Sequence, residues 1–261
     1  MIVNFVIKGK LGNAIFRYMA SVIMCMYYNG TYSIFNYQSH DVSDETFIEI
    51  TKNIINQNKN DFCVNKEGFN MSQFYQHDLI YKLNKQQIVN FINNNPTHEI
   101  LTDGVNAGDN NCEKYYMTDI VNTPIKFNKK YKNVLHLRLE DFVTHNLHLN
   151  NERIILLLEK NIIKEFLCIV CKKPTTDFEN LYIKRIKQYA EDNNITVVLE
   201  HNDVITDYYI MKEADTLICS KSTLSWCAAF FSTSIKKCYL PDYITTPNST
   251  CKYPIDNTEL Y

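Results

Sequence analysis

The sequence predicts an α/β protein of two Rossmann-like domains, each built on a parallel sheet, facing one another across a cleft. Three observations predict it. The chain opens as strand, glycine turn, helix. Its second half alternates short apolar strands with helices, which calls for parallel strands and right-handed crossovers. Its 261 residues, 45% of them hydrophobic, suffice for two modest domains at roughly 100–200 residues each. The expected division is 1–130 and 131–261, with a hinge near Asn122–Lys132.

Taken in order, Ile2–Ile7 reads as a short buried strand. Gly9-Lys10-Leu11-Gly12-Asn13 is a turn, and apolar residues recur at helical spacing from Ala14 to about Tyr28. The stretch from Thr31 to Lys130 is rich in Asn, Gln, Tyr and Lys and is harder to order. Thr46–Asn56 and Asn84–Asn94 look helical, the latter stopped by Asn95-Pro96. Asn106–Asn111 is a polar loop. Beyond it, strands are expected at Asn133–Leu137, Phe166–Cys171, Ile195–Leu199, Thr216–Cys219 and Lys237–Leu240. Helices are expected at Asn151–Lys164, from a Thr176-Asp177 cap to Asp192, at Val204–Glu213 and at Ser222–Phe231.

Composition excludes several classes. Lys and Arg total 27 against 29 Asp and Glu, a net charge of −2. A nucleic-acid coat would show a basic footprint. No apolar stretch reaches the roughly 18 residues of a membrane span, and the N-terminal apolar run lacks a basic flank for a signal peptide. The expectation is therefore a cytoplasmic protein with no membrane span. The 9 cysteines are scattered. Cys168 and Cys171 form a C-x-x-C, but inside a buried-strand pattern with no second pair at zinc spacing. Reduced core thiols are expected, not a metal site. The sequons at Asn29, Asn70, Asn194 and Asn248 are what an Asn-rich chain produces by chance.

Three places can carry chemistry, all at the carboxyl ends of expected strands, where open parallel sheets bind ligands. The first is the 9–13 turn. A glycine turn into a helix presents backbone N–H groups that suit a phosphate, although it matches neither a dinucleotide fingerprint nor a Walker loop. The second is His136-Leu137-Arg138-Leu139-Glu140-Asp141. Alternation puts His136 and Arg138 on one side. The guanidinium can fork onto a phosphate, with Asp141 holding it. The third is Ser220-Lys221-Ser222-Thr223-Leu224-Ser225-Trp226, a hydroxyl-rich turn into a helix. Ser222 or Thr223 can cap that helix and its N–H groups form an anion cradle. Each is also readable as a plain βα turn, a surface Arg–Asp pair or an ordinary N-cap.

Their order and spacing say more. The chain resembles the α-1,2-fucosyltransferase family, within the fucosyltransferase superfamily of GT-B fold. That family carries G-G-L-G-N-Q-x-F, then H-I-R-R-G-D-Y, then S-N-S-T-F-S-W-W-A-A-W. Here stand Gly9-Lys10-Leu11-Gly12-Asn13-Ala14-Ile15-Phe16, His136-Leu137-Arg138-Leu139-Glu140-Asp141-Phe142, and Ser220-Lys221-Ser222-Thr223-Leu224-Ser225-Trp226-Cys227-Ala228-Ala229-Phe230. Asp207-Tyr208-Tyr209-Ile210-Met211 resembles the family's D-F-x-L-M helix.

The resemblance implies a galactoside 2-α-L-fucosyltransferase-like enzyme. It would move fucose from GDP-fucose to a glycan hydroxyl with inversion, and would need no metal or other cofactor. The alternatives are another nucleotide-sugar donor or an inactive donor-binding module. It implies an acceptor-side domain at 1–130 and a donor domain at 131–261. The expected absence of a membrane anchor sets the chain apart from secretory-pathway transferases and points to a bacterial or viral source. Partners are the donor and an oligosaccharide acceptor, with no nucleic acid. Arg138 inherits the β-phosphate contact, and Gly12 and Asn13 lie near the sugar–phosphate junction. Ser222 and Thr223 meet phosphate oxygens, Leu224 N–H is a helix-start donor, and His136 lines the same pocket. Arg138, Asn13 and Asp141 are the expected catalytic set. Candidate bases are Asp141, Glu140, His136 and Asp103. Three departures stand out. The family's second Arg is Leu139, which removes a cation. Its Gly is Glu140. Its Asn is Lys221, which returns positive charge.

Overall fold

The structure, a computed structural model, describes residues 2–5, 10–27, 33–35, 43, 45–49, 69–71, 75–102, 113–160, 162–242 and 253–261. The expectations placed on Gly9, Asp103 and 106–111, and on the end of the 46–56 helix, lie outside these residues. The chain forms two compact units, Met1–Asn122 and Thr123–Tyr261.

In the first unit, β1 (Ile2–Phe5) lies between β2 (Ser33–Phe35) and β3 (Phe69–Met71), both parallel to it. Helix α1 (Leu11–Tyr27) packs on β1. Residues Ala14 to Cys25 of α1 are all buried, Arg17 and Ser21 included. The helix starts at Leu11 and not at Ala14. The N–H groups of Asn13 and Ala14 both donate to the Lys10 carbonyl, at 3.0 and 3.2 Å. Helices α2 (Asp78–Leu83) and α3 (Lys85–Asn94) follow. An antiparallel pair, β4 (Glu99–Thr102) and β5 (Glu113–Tyr116), and helix α4 (Met117–Val121) complete the unit. The sequence did not announce that pair, because charged Glu99, Glu113 and Lys114 interrupt any apolar alternation. The Tyr18 hydroxyl meets His98 Nδ1 at 2.8 Å and ties α1 to the turn before β4.

The second unit holds a six-stranded sheet in the order β11-β10-β9-β6-β7-β8. Its strands are β6 (Asn133–His136), β7 (Phe166–Val170), β8 (Thr196–Glu200), β9 (Thr216–Ile218), β10 (Lys237–Leu240) and β11 (Thr258–Leu260). Every pairing is parallel. Chain order therefore runs outward from β6 in one direction and then outward from β9 in the other. That is the doubly wound order, whose reversal lies between β6 and β9. Strand β11 was not foreseen; Thr258-Glu259-Leu260 is a polar edge strand without an apolar run.

Helices α5 (Glu140–Thr144), α6 (Asn151–Glu159), α7 (Asp177–Asp192), α8 (Val204–Lys212) and α9 (Thr223–Phe231) connect these strands. Helix α6 ends at Glu159, five residues before the expected Lys164. Leu135, Leu137 and Leu139 share one core with Ile154, Leu157, Tyr182, Ile183 and Ile186, which is the α6 and α7 face. Cys168 and Cys171 are buried thiols, each pushed up to about 12, chiefly by burial.

The unit boundary falls after Asn122, ahead of the expected 130/131, because the connecting segment is stitched to the second unit. Thr123 Oγ1 donates to Glu213 Oε1 at 2.6 Å, and Phe127 packs edge-on to Tyr209 at 5.3 Å. Lys129 Nζ donates to Glu200 Oε2 at 2.8 Å, and the Tyr131 hydroxyl donates to the same carboxylate.

Glu200 generates a pH prediction. Burial raises its pKa, but donors from Lys129, Tyr131 and Asn202 outweigh burial and hold the carboxyl at about 2. An unfolded Glu titrates at about 4.3. The folded value is the depressed one, so the contribution is complete above about 4.3 and is lost as pH falls toward about 2, on the order of 2–3 kcal/mol. Urea titrations should show Glu200→Gln less stable at neutral pH, with the gap closing across that acid window. A gap that stays constant with pH contradicts the assignment.

Candidate functional site

The site is built at the carboxyl ends of β6 and β9, which are hydrogen-bonded neighbours with Leu135 opposite Ile218. Both strands point the same way, so their following turns emerge at one edge. At such a reversal the two connections leave in opposite directions, which is where open α/β sheets hold ligands.

His136 ends β6 and is buried. Its Nδ1 meets Ser220 Oγ at 2.9 Å. This contact joins the second and third sequence motifs, 84 residues apart. Burial, and then the charge of Arg138, push the His136 imidazole down to about 3. It is neutral at physiological pH, which makes it a poor general base and a fixed hydrogen-bonding post.

Leu135, Leu137 and Leu139 keep period-2 alternation past the strand end, all on the core side. His136 and Arg138 therefore project to the other side, as expected. Leu139 is 5% exposed within that core. Its side chain is thus packed into the core, on the side away from Arg138.

The Arg138 side chain is 16% exposed. Its Nε and Nη2 donate to Asp141, at 3.1 Å and at 2.8 and 3.1 Å, and its guanidinium lies 5.4 Å from the Phe142 ring centroid. Asp141 thus holds the guanidinium fork. The same bonds engage both of its oxygens, which weakens it as a base.

Glu140 has φ 33°, in the region that favours glycine. The resembling family carries Gly at this place. Here the strained peptide is held by Glu179, whose Oε1 accepts the Glu140 N–H at 3.0 Å. Glu179 Oε2 accepts the backbone N–H groups of Thr175 and Thr176, at 2.7 and 3.0 Å, and both their hydroxyls at 3.2 Å. Thr176 returns the bond as the α7 cap, completing a capping box. Burial acts to raise the Glu179 pKa, yet these donors hold it below the usual carboxylate range. Sequence reading missed Glu179, although Thr176-x-x-Glu179 is the capping-box signature.

On the β9 side, Ser220, Lys221 and Ser222 are buried and Thr223 half-buried. Ser222 is the α9 cap, and its Oγ accepts the Leu224 N–H at 3.3 Å. That bond is long and weak. Helix α9 has no acidic residue in its first turn, whereas α5, α6, α7 and α8 each have at least one. Its own first turn thus adds no negative charge at the positive end of its dipole. Nearby in sequence, burial pushes the Asp207 carboxyl up to about 7, only partly offset by Asn202 donors.

Gly12 and Asn13 belong to the first unit, in the opening turn of α1. The N–H of Asn13 is turned onto the Lys10 carbonyl, so this turn does not offer it to a phosphate as the sequence suggested. Among the described residues, no group of three His, Cys, Asp or Glu side chains could hold a metal, and no helix is long and apolar enough to cross a membrane.

No family profile and no curated protein matches the chain. Among solved structures, E. coli heptosyltransferase WaaC with ADP is similar over 100% of this chain and 92% of its own, with 10% identity and a TM-score of 0.42. A likeness at that level assigns neither residues nor activity.

Glu140 supplies a stability prediction. A non-glycine residue at positive φ costs on the order of 1 kcal/mol. Its side-chain ion pair, at 3.5 Å to the exposed Lys172, is worth about 0–1 kcal/mol. Glu140→Gly keeps the backbone bond to Glu179 and should raise the urea midpoint, with an unfolding free energy about 1 kcal/mol higher. A lowered midpoint would show that the Glu140 side chain, and not its backbone, is what the turn requires.

Proposed function

We propose that the β6/β9 crevice binds the diphosphate of a nucleotide-sugar, and that the chain is an inverting, metal-independent glycosyltransferase whose donor is GDP-fucose and whose acceptor is a glycan hydroxyl. The observation that carries the reading is the His136–Ser220 hydrogen bond. It locks the Arg138 turn and the Ser220–Thr223 turn onto one edge, at the reversal point of a doubly wound sheet. The motif resemblance supports the donor class and the fucosyl assignment.

In this reading, Arg138 meets the β-phosphate with the donors that Asp141 does not use. Ser222, Thr223 and the Leu224 N–H take phosphate oxygens at the α9 start, where a phosphate displaces the long Ser222 cap. Lys221 adds a cation from the same turn. The acceptor oxygen attacks the anomeric carbon as the diphosphate leaves from the opposite face. Negative charge grows on the leaving oxygen, and a fixed guanidinium with helix-start N–H groups is suited to stabilise it. With His136 neutral and Asp141 engaged, bond breaking runs ahead of attack, and the acceptor proton leaves late, to the departing diphosphate.

A ligand that binds only the folded state raises the melting temperature. GDP should do so, and UDP and ADP should not; stabilisation by UDP but not by GDP sinks the donor assignment. Arg138→Ala should cut transfer from GDP-fucose by about 10²–10³-fold while the melting temperature without nucleotide is kept. Lys221→Ala should weaken GDP binding, and an unchanged affinity removes Lys221 from the cradle.

A further inference from the structure

A second concavity in the same unit uses none of the crevice residues. It lies between the 145–150 segment, the start of α6 and the first half of α7, and encloses about 370 Å³. That volume is within the range of about 300–1,000 Å³ typical of small-ligand pockets. Three rings line it. His148 packs edge-on to Phe178 at 5.1 Å and to Tyr182 at 6.1 Å, and the latter two rings are 6.2 Å apart. Phe178 is 45% exposed, which leaves much of a large apolar ring open to solvent at the groove.

The polar groups are the telling part. Asn151 is only 7% exposed and lines the groove. Among the described residues its carboxamide has no hydrogen-bond partner. His148 Nδ1 is sealed from solvent and also has none. The Asn151 carboxamide, without a protein partner, is open to a ligand at the groove, and the unpaired His148 nitrogen is a buried polar group of the kind proteins rarely leave unsatisfied. Asn146, held at φ 53°, and Arg185 add further donors at the groove.

The chemistry selects the ligand. A carboxamide offers two donors and one acceptor oxygen, which matches a pair of neighbouring hydroxyls. An exposed aromatic ring matches the apolar C–H face of a sugar ring. Arg185 also lines the groove, so an anion is the competing ligand, and phosphate in the test decides between the two. We infer that this groove is a binding site for a neutral pyranose, apart from the diphosphate crevice. The inference stands on its own: a chain that binds no nucleotide could still hold a sugar here.

The test is saturation-transfer NMR on the full chain with lactose, methyl β-D-galactopyranoside and methyl α-D-glucopyranoside, with inorganic phosphate as competitor. Saturation should reach the ring protons of at least one sugar. Phe178→Ala and Asn151→Ala should each weaken that binding about tenfold without changing GDP affinity. Should Asn151→Ala lower the melting temperature, Phe178→Ala, at an exposed position, decides. No transfer to any of the three sugars overturns the inference. So does transfer that both variants leave unchanged, and so does displacement of the sugar by phosphate, which would make the groove an anion site. GDP affinity in the same samples separates failure of this groove from failure of the donor crevice.

Discussion

Parallel strands cannot be joined by a tight turn. Each connection must return along a face of the sheet before the next strand begins. In the second unit that constraint acts on all six strands, and it puts every strand-to-helix turn at one edge. Because chain order reverses between β6 and β9, the two turns at that point diverge. The place of the candidate site is therefore a property of the winding order, and the side chains only furnish it. The His136–Ser220 bond is the furnishing that spans it. As a typical intramolecular hydrogen bond it is worth about 1 kcal/mol, small beside the core, but it relates two turns that are otherwise independent.

The Arg138 turn rests on a different compensation. A glutamate at positive φ would drift toward ordinary backbone geometry if nothing opposed it. Glu179 opposes it from the neighbouring βα connection, with one oxygen on the Glu140 peptide and the other on the Thr175–Thr176 turn. One carboxylate thus sets the shape of two adjacent loops. Loosening it would disturb Arg138 without touching any residue near Arg138 in the chain.

Legibility followed burial. Phe166–Val170 and Lys237–Leu240 are short apolar runs with clear breakers, and the expected spans met the structure to within a residue. Helix α7 was bounded by Thr176 at one end and Asn193 at the other, both local signals. By contrast Ser33–Phe35, Phe69–Met71 and Glu113–Tyr116 are three or four residues long. Their partners are distant in sequence, so nothing local distinguishes them from loop. The candidate site divides in the same way. His136, Arg138 and Ser222 were readable because strand ends and caps have sequence signatures. The burial of Leu139 in the α6 and α7 core follows from carrying alternation beyond the strand, and the reach of Glu179 to Glu140 follows from tertiary placement that no spacing encodes.

Trp226 is the single tryptophan of the chain. It is fully buried in α9, nearly parallel to Phe230 at 5.1 Å, four residues after the Ser222 cap. Intrinsic tryptophan emission from this protein therefore has one origin, on the helix whose start faces the crevice. Optical signals from that fluorophore describe the second unit alone. Melting of the first unit by itself would be nearly silent at those wavelengths, so a smooth single fluorescence transition would not demonstrate that the two units unfold together.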